Sequence, residues 1–362
     1  MSSPRLLMLG SVNHPHVEHL AIAMSERGFD VTVAGDTVPD LPPSTLSGAG
    51  ISVLAGPGAR RGSIRGLVEH VRWIRSLVRR LEPDIVHAHW LCGYAFFAAL
   101  AGASPLVAMA WGSDVFAAGR VKTLANRFAL RRAAIAMADS QALLDRLVQL
   151  GAPSDRTVLV NWGVDLTGFA PVGAAERAAL KSSLGLMPGR VILSTRSLMP
   201  VYNPQTILDA FGMLAEELED VQLVVKHMGV VTMQLGRVPH AERVHFVDNV
   251  PYERMADYYR AADVCISIAS SDSSPRSVWE AMACGSPCVL SDLPWVRELI
   301  EPERDALVVP IDARSVADAV RRILTDRELA ARLATSGRRL AEDHRDRAVQ
   351  MDQLASEYRT LL

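Results

Sequence analysis

Short apolar runs alternate along this chain with longer stretches in which apolar residues recur every three or four positions. The short runs fit strands buried on both faces, and the longer stretches fit amphipathic helices. Strands are predicted at Leu6–Leu9, Asp30–Ala34, Ile51–Leu54, Ile85–His87, Leu106–Ala110, Ala134–Ala138 and Val158–Val160. Helices are predicted between them at His16–Arg27, Ile64–Leu81, Tyr94–Leu100, Thr123–Ala133 and Gln141–Leu150. Periodicity lapses from Gly163 to Ala175, where Gly168, Pro171 and Gly173 mark a linker. A second series then begins: strand Val191–Thr195, helix Pro204–Leu218, strands Gln222–Lys226 and Val244–Phe246, helix Met255–Ala261, and strands Val264–Ile268 and Ser286–Leu290. Helices Val316–Leu324 and Arg327–Glu342 and a helical tail to Leu362 close it. Strand and helix in alternation, twice over, define an α/β class with two Rossmann-like, doubly wound parallel sheets. Ligands of such sheets bind at the carboxyl ends of the strands, so a cleft between two facing domains is expected.

The 362 residues exceed what one core usually serves, so two domains are expected: 1–165, and 166–345 followed by a C-terminal helix, 346–362, able to cross back to the first domain. A net charge of -2 argues against a nucleic-acid partner. Cys92, Cys265, Cys284 and Cys288 have no CxxC spacing and small apolar neighbours, which suits packed thiols in a reducing compartment. The chain enters a strand within its first ten residues, leaving no room for a signal peptide, so a cytoplasmic location is expected. Trp90–Ser113 contains no charged side chain, but Gly102–Pro105 splits it into a helix and a strand of the core.

The richest segment for chemistry runs from Ser270 to Asp292: a polar loop, a short helix and an apolar strand. Asp272 lies on the loop and Glu280 about one helical turn downstream, a carboxylate pair able to grip two sets of hydroxyls. The amides around Ser273 and Ser274 open a helix, where unpaired donors and partial positive charge favour a phosphate. Arg196 follows the first strand of the second series and offers a permanent, bidentate charge to a diphosphate. Lys226, directly before His227 and Gly229, and Arg276, inside the loop, are further cations for the same task. A sugar nucleotide presents both hydroxyls and phosphate.

In the first half, Trp111-Gly112-Ser113-Asp114, Asp139-Ser140 and Trp162-Gly163-Val164-Asp165 each follow a strand and so face the cleft. Asp114 stands out, either as a working carboxylate or as a helix cap. His14, His16, His87 and His89 also fall near strand ends, and His87-x-His89 has metal-ligand spacing without a third ligand. No Asp-x-Asp occurs, so no divalent cation is expected. Gly56-x-Gly58-x-x-x-Gly62 imitates a dinucleotide loop with the wrong final spacing. The helix from Ile64 carries Arg65, Arg72, Arg75, Arg79 and Arg80 against Glu69, a pattern that could touch anionic headgroups but is expected here to be a solvated basic face, the whole chain being slightly acidic.

Asp272–Leu290 resembles the acidic-pair signature of retaining glycosyltransferases of family 4, which have the GT-B fold. The likeness extends over nearly the whole chain through Asp84–His89, Asp114, Asp139-Ser140, Gly163-Val164-Asp165, Ser194-Thr195-Arg196, Ala262-Asp263-Val264 and Glu280–Gly285. The resemblance implies metal-independent hexosyl transfer from a nucleotide-diphosphate sugar, with retained configuration, through same-face attack on an oxocarbenium-like ion pair. It implies no cofactor beyond the co-substrate, with UDP or GDP as the nucleotide. Polysaccharide, lipid-linked and secondary-metabolite acceptors are all compatible. By this likeness Arg196, Lys226 and Asp114 form the catalytic set. Asp272, Ser273, Ser274, Arg276, Glu280 and Val250 hold the donor, with Asp272 on the sugar and Glu280 on the ribose, and His16 and Trp111 lie on the acceptor side. The chain departs from the family pattern in places. Asp272 stands where glutamate is usual, Trp111 where a histidine is common and Trp162 where asparagine is found; Val201-Tyr202-Asn203 lacks the usual lysine, and Val12–His16 replaces a Gly-Gly turn. Two alternatives stay open on the same fold: a sugar-nucleotide epimerase, and a nucleotide-sugar-binding subunit that acts only with a partner.

Overall fold

The runs predicted as strands lie side by side in two parallel sheets. The computed structural model describes residues 3–38, 43–57, 63–227 and 235–362, so Gly58, Arg60, Arg61 and Gly62 of the dinucleotide-like loop, and Gly229, lie outside the described residues. The chain divides into two compact units, one of Met1–Trp162 with Ala348–Leu362, the other of Gly163–Arg347.

The first unit contains β1 (Arg5–Leu9), α1 (Pro15–Ser25), β2 (Asp30–Gly35), β3 (Ser52–Ala55), α2 (Ile64–Leu81), β4 (Ile85–His89), α3 (Phe96–Ala101), β5 (Leu106–Met109), α4 (Ser113–Phe116), α5 (Arg120–Arg132), β6 (Ile135–Ala138), α6 (Gln141–Gln149) and β7 (Thr157–Leu159). The strand order is β3-β2-β1-β4-β5-β6-β7, so direction reverses between β1 and β4. Side-chain alternation sorts the core onto two faces. Leu7, Leu9, Val86 and Ala88 pack with Ile74 and Leu77 of α2, Ala98 of α3, Leu130 of α5 and Leu143 of α6. Leu6, Met8 and Ile85 pack on the other face with Val17 and Leu20 of α1.

The second unit contains α7 (Ala174–Ser183), β8 (Arg190–Ser194), α8 (Pro204–Glu217), β9 (Val221–His227), β10 (Val244–Asp248), α9 (Met255–Ala261), β11 (Val264–Ser267), α10 (Arg276–Ala283), β12 (Cys288–Ser291), α11 (Pro294–Leu299), β13 (Leu307–Val309), α12 (Ala313–Thr325) and α13 (Arg327–His344). Its order, β10-β9-β8-β11-β12-β13, reverses between β8 and β11. The last helix, α14 (Arg347–Arg359), returns to the first unit, where Met351, Leu354, Ala355 and Tyr358 complete the core face under α1.

Several elements differ from the sequence reading. The linker ends at Gly173, since α7 begins at Ala174; α11 and the three-residue β13 had no signal. Strand β12 starts at Cys288 rather than Ser286 because the preceding turn closes α10: Gly285, at φ 73°, donates to Met282 and Ser286 to Ala281. Trp90–Ala95 forms a π-turn before α3, and the apolar Trp90–Ser113 stretch is divided at Gly102–Pro105 as expected, between α3 and β5. Among the described residues no helix is long and apolar enough to cross a membrane. At the start of the second unit Val164 donates to Arg345 (2.7 Å) and accepts from Arg347 (3.0 Å). Gly163, at φ 65°, has no room for a side chain, because a Cβ there would lie 2.4 Å from the Arg347 Cα.

Candidate functional site

The charged residues singled out in the second unit come from strand ends around the point where its strand order reverses. Arg196 follows β8, Lys226 lies near the end of β9, and the loop after β11 leads into α10. Arg196 is ion-paired with Asp272, donates to the Ser277 hydroxyl (3.1 Å), and lies 4.2 Å above the Tyr202 ring. Burial opposes its charge, but Asp272 and Tyr202 outweigh this and hold the guanidinium above its ordinary pKa. Ser273 donates its amide to Asp272 Oδ1 (3.0 Å), so that amide is already engaged, and Ser274, at φ 40°, accepts from the Trp279 indole (3.0 Å).

Arg276, expected inside the loop, is instead the first residue of α10. It therefore lies one turn ahead of Glu280, with Nε 3.0 Å from Oε1. Glu280 is 4% exposed and also accepts from the Tyr259 hydroxyl (2.9 Å). Its depth and second-turn position rule out a simple interaction with the helix dipole, which fades beyond the first turn. Lys226 is 7% exposed and has no hydrogen-bond or ion-pair partner among the described residues. Burial pushes its pKa down, while Glu280 and Asp248 pull it back up. Val250 is half-buried against the core beside Tyr252. The unit thus brings together Arg196, Asp272, Arg276, Glu280 and Lys226. The sequence reading missed Tyr202, Tyr252, Tyr259 and Ser277, the neighbours that fix these charges; Arg276 lies 4.6 Å above the Tyr252 ring. A tyrosine six residues after Arg196 was a visible but weak signal.

In the first unit the strand ends carry an aromatic cluster. Trp111 lies at its centre, with ring centroids 4.7 Å from His14, 5.4 Å from His16, 5.6 Å from His89, 5.7 Å from Trp162 and 5.8 Å from Trp90. His16 stacks on Trp162 at 4.4 Å. The Trp111 indole donates to His89 Nδ1 (3.3 Å), which fixes the proton of a neutral His89 on Nε2. Trp90, which the sequence reading passed over, adopts φ 67°, an outlier for so large a residue. Asp114 is 1% exposed, and its two oxygens accept from the amides of Leu91 (2.7 Å) and Trp111 (2.9 Å). Burial raises its pKa to about 6 against the pull of these amides. Neither a cap nor an open carboxylate, it anchors the Trp111 backbone. Asp114→Ala would leave two buried amides without an acceptor and cost about 2–6 kcal/mol, at 1–3 each; a thermal unfolding midpoint unchanged from wild type would refute the anchoring role.

Ser140 caps α6 through the Leu143 amide, and Asp139 accepts from Asn161 at its backbone oxygen. Asp165 serves the turn that follows it, accepting from Thr167 and Gly168. His87 meets the Tyr358 hydroxyl (2.6 Å) and its ring lies 4.6 Å from that of His89. Among the described residues no group of three metal-ligating side chains assembles.

Two doubly wound units, each with its polar residues at the switch point, define the GT-B architecture. HepE of Anabaena in complex with UDP-glucose shares it, with a TM-score of 0.80 and 19% identity over 99% of this chain and 100% of that one. Residues 177–340 match the model of the Glycosyl transferases group 1 family, and residues 5–144 that of the Glycosyl transferase 4-like family. The D-inositol 3-phosphate glycosyltransferase of Xylanimonas cellulosilytica is 30% identical, with 89% of this chain and 85% of that protein covered. The N-acetyl-alpha-D-glucosaminyl L-malate synthase of Bacillus anthracis is 23% identical, covering 79% and 76%. The chain belongs to the group 1 glycosyl transferases.

Proposed function

We propose that this glycosyltransferase moves a hexose from a UDP-sugar to an acceptor hydroxyl with retained configuration and without a metal. The observation that carries the reading is the cluster of Arg196, Lys226, Arg276 and two carboxylates at one switch point. UDP is chosen because HepE, which shares the fold, holds UDP-glucose. Donor binding exchanges partners at Arg196. The diphosphate displaces Asp272 from the guanidinium, and the freed carboxylate accepts from a sugar hydroxyl. Lys226, with no ion pair among the described residues, takes the second share of phosphate charge. Glu280, oriented by Arg276 and Tyr259, accepts from the ribose hydroxyls. As the glycosidic bond breaks, both cations stabilise the negative charge gathering on the departing diphosphate, and that diphosphate takes the acceptor proton. Acceptor hydroxyls would be met in the first unit by the rings around Trp111 and His16. The acceptor is a small polyol phosphate or hydroxy acid, the classes in the names of the two relatives.

The reading is tested by the thermal stability of wild type and Glu280→Ala with UDP, GDP, ADP, dTDP or CMP, without metal. Saturation by UDP near 100 times its dissociation constant adds about 2.7 kcal/mol to the wild type. The variant loses that shift. Equal responses to all five nucleotides, or none, would count against a diphosphate site at Glu280.

A further inference from the structure

The first unit is charged unevenly across its sheet. It holds seventeen Lys and Arg against fourteen Asp and Glu, while the second holds twenty-one against twenty-six. Ten of those seventeen cations lie on α2 and α5, which pack in one layer on either side of α3, and Glu69 is the only acid on these two helices. The opposite face, α1 and α14, mixes both signs.

Some of these cations are occupied. Arg65 pairs with Glu69, Arg75 donates to the Leu100 and Ala101 carbonyls, Arg127 donates to Leu150, and Arg132 lies on the Phe128 ring. Arg72, Arg79, Arg80, Arg120, Lys122 and Arg131 are exposed and have no hydrogen-bond or ion-pair partner among the described residues. Arg72, Arg75, Ser76, Arg79 and Arg80 line an open hollow of about 520 Å³ on α2.

A solvated basic face explains the charges but not the apolar side chains among them. Ile64 is 83% exposed and Val68 40% on α2, and Val121 is 81% and Leu124 65% on α5. Helical spacing sets Ile64, Val68, Arg72, Arg75 and Arg79 on one outward arc of α2, and Arg120, Val121, Leu124, Arg127 and Arg131 on one outward arc of α5. Unpaired cations interleaved with protruding aliphatic side chains match a surface that is anionic at the headgroups and apolar just beneath. A nucleic-acid backbone matches only the cations, since aliphatic side chains gain nothing against phosphate.

We infer that the outer face of α2 and α5 docks on anionic lipid bilayers. The arginines engage phosphodiester and carboxylate headgroups, the hollow on α2 seats one headgroup, and Ile64, Val68, Val121 and Leu124 enter the acyl boundary. The chain then works at a membrane surface. This inference stands independently of the donor and acceptor readings.

Sedimentation of the full chain with phosphatidylcholine vesicles, with and without 30% phosphatidylglycerol, tests it. The chain pellets with the anionic vesicles alone, and 0.5 M NaCl releases it. Arg72→Glu combined with Arg79→Glu and Arg80→Glu weakens binding about a hundredfold or more, at roughly fivefold for each cation near an anionic surface. Val121→Ser with Leu124→Ser also weakens it, without moving the unfolding midpoint. Both variants keep the wild-type response to UDP, so failure here is distinct from failure of the donor site. Equal binding to neutral vesicles, no binding to either, or binding to a DNA duplex that matches the anionic vesicles and ignores the serine substitutions would overturn the inference.

Discussion

Arg196→Ala is expected to lower kcat for sugar transfer by two to three orders of magnitude, the loss typical when one donor is removed from a developing oxyanion. The same substitution strands Asp272, whose side chain is 14% exposed, and breaking so enclosed a pair costs about 3–5 kcal/mol. Lost stability could therefore pass for lost catalysis. The double variant Arg196→Ala/Asp272→Ala separates them. Removing both charges restores much of the stability, whereas kcat stays low because nothing replaces the cation. KM for the donor should rise less than kcat falls, since the guanidinium already has an anionic partner before the donor arrives. Steady-state rates and unfolding midpoints of the two variants decide the matter. A double variant with near wild-type kcat would remove Arg196 from the chemistry.

The second large effect is acid instability of the first unit. Burial holds the His87 pKa down to about 3, and burial together with His87 and His14 holds His89 well below its usual value. A folded-state pKa depressed below about 6.5 means that the unfolded chain binds protons more readily. The stability these neutral imidazoles allow is complete above pH 6.5 and is lost as pH falls toward 3. From pH 6.5 to 4.5 His87 costs up to about 3 kcal/mol, at 1.36 per unit, and His89 adds to it in the same direction. Asp114 acts in the opposite sense between about 4 and 6, because its raised pKa favours the folded state as protons are added, and it returns at most the share of one histidine. The net result is a falling midpoint across that window. His87→Gln, which retains an acceptor for Tyr358, should make the fall shallower, whereas Tyr358→Phe should leave the slope intact because burial sets the shift. Parallel curves for wild type and His87→Gln would refute the buried-imidazole account.

The strands were legible because parallel strands buried on both faces read as plain apolar runs, as in Leu6–Leu9 and Val264–Ser267. Helix α7 was not, since none of its residues is buried and so no core-facing stripe announces it. The three residues of β13 are too few for any periodicity. At the candidate site the charged residues were readable from their places after strands, but their partners were not. Arg196 finds Asp272 76 positions away, and His87 finds Tyr358 across 271. The strain at Trp90 and the turn that sets Arg276 at the start of α10 depend on backbone angles that residue identity alone does not dictate.

The return of α14 to the first unit reverses the order in which the protein can be finished as it is made. Chains emerge from the N-terminus, and domains generally fold as units during synthesis. The second unit, Gly163–Arg347, is fully emerged and able to close while the first still lacks Met351, Leu354, Ala355 and Tyr358 from one face of its core. The unit that comes earlier in the chain is completed later, so until α14 leaves the ribosome Leu6, Met8 and Val17 await the helix that covers them.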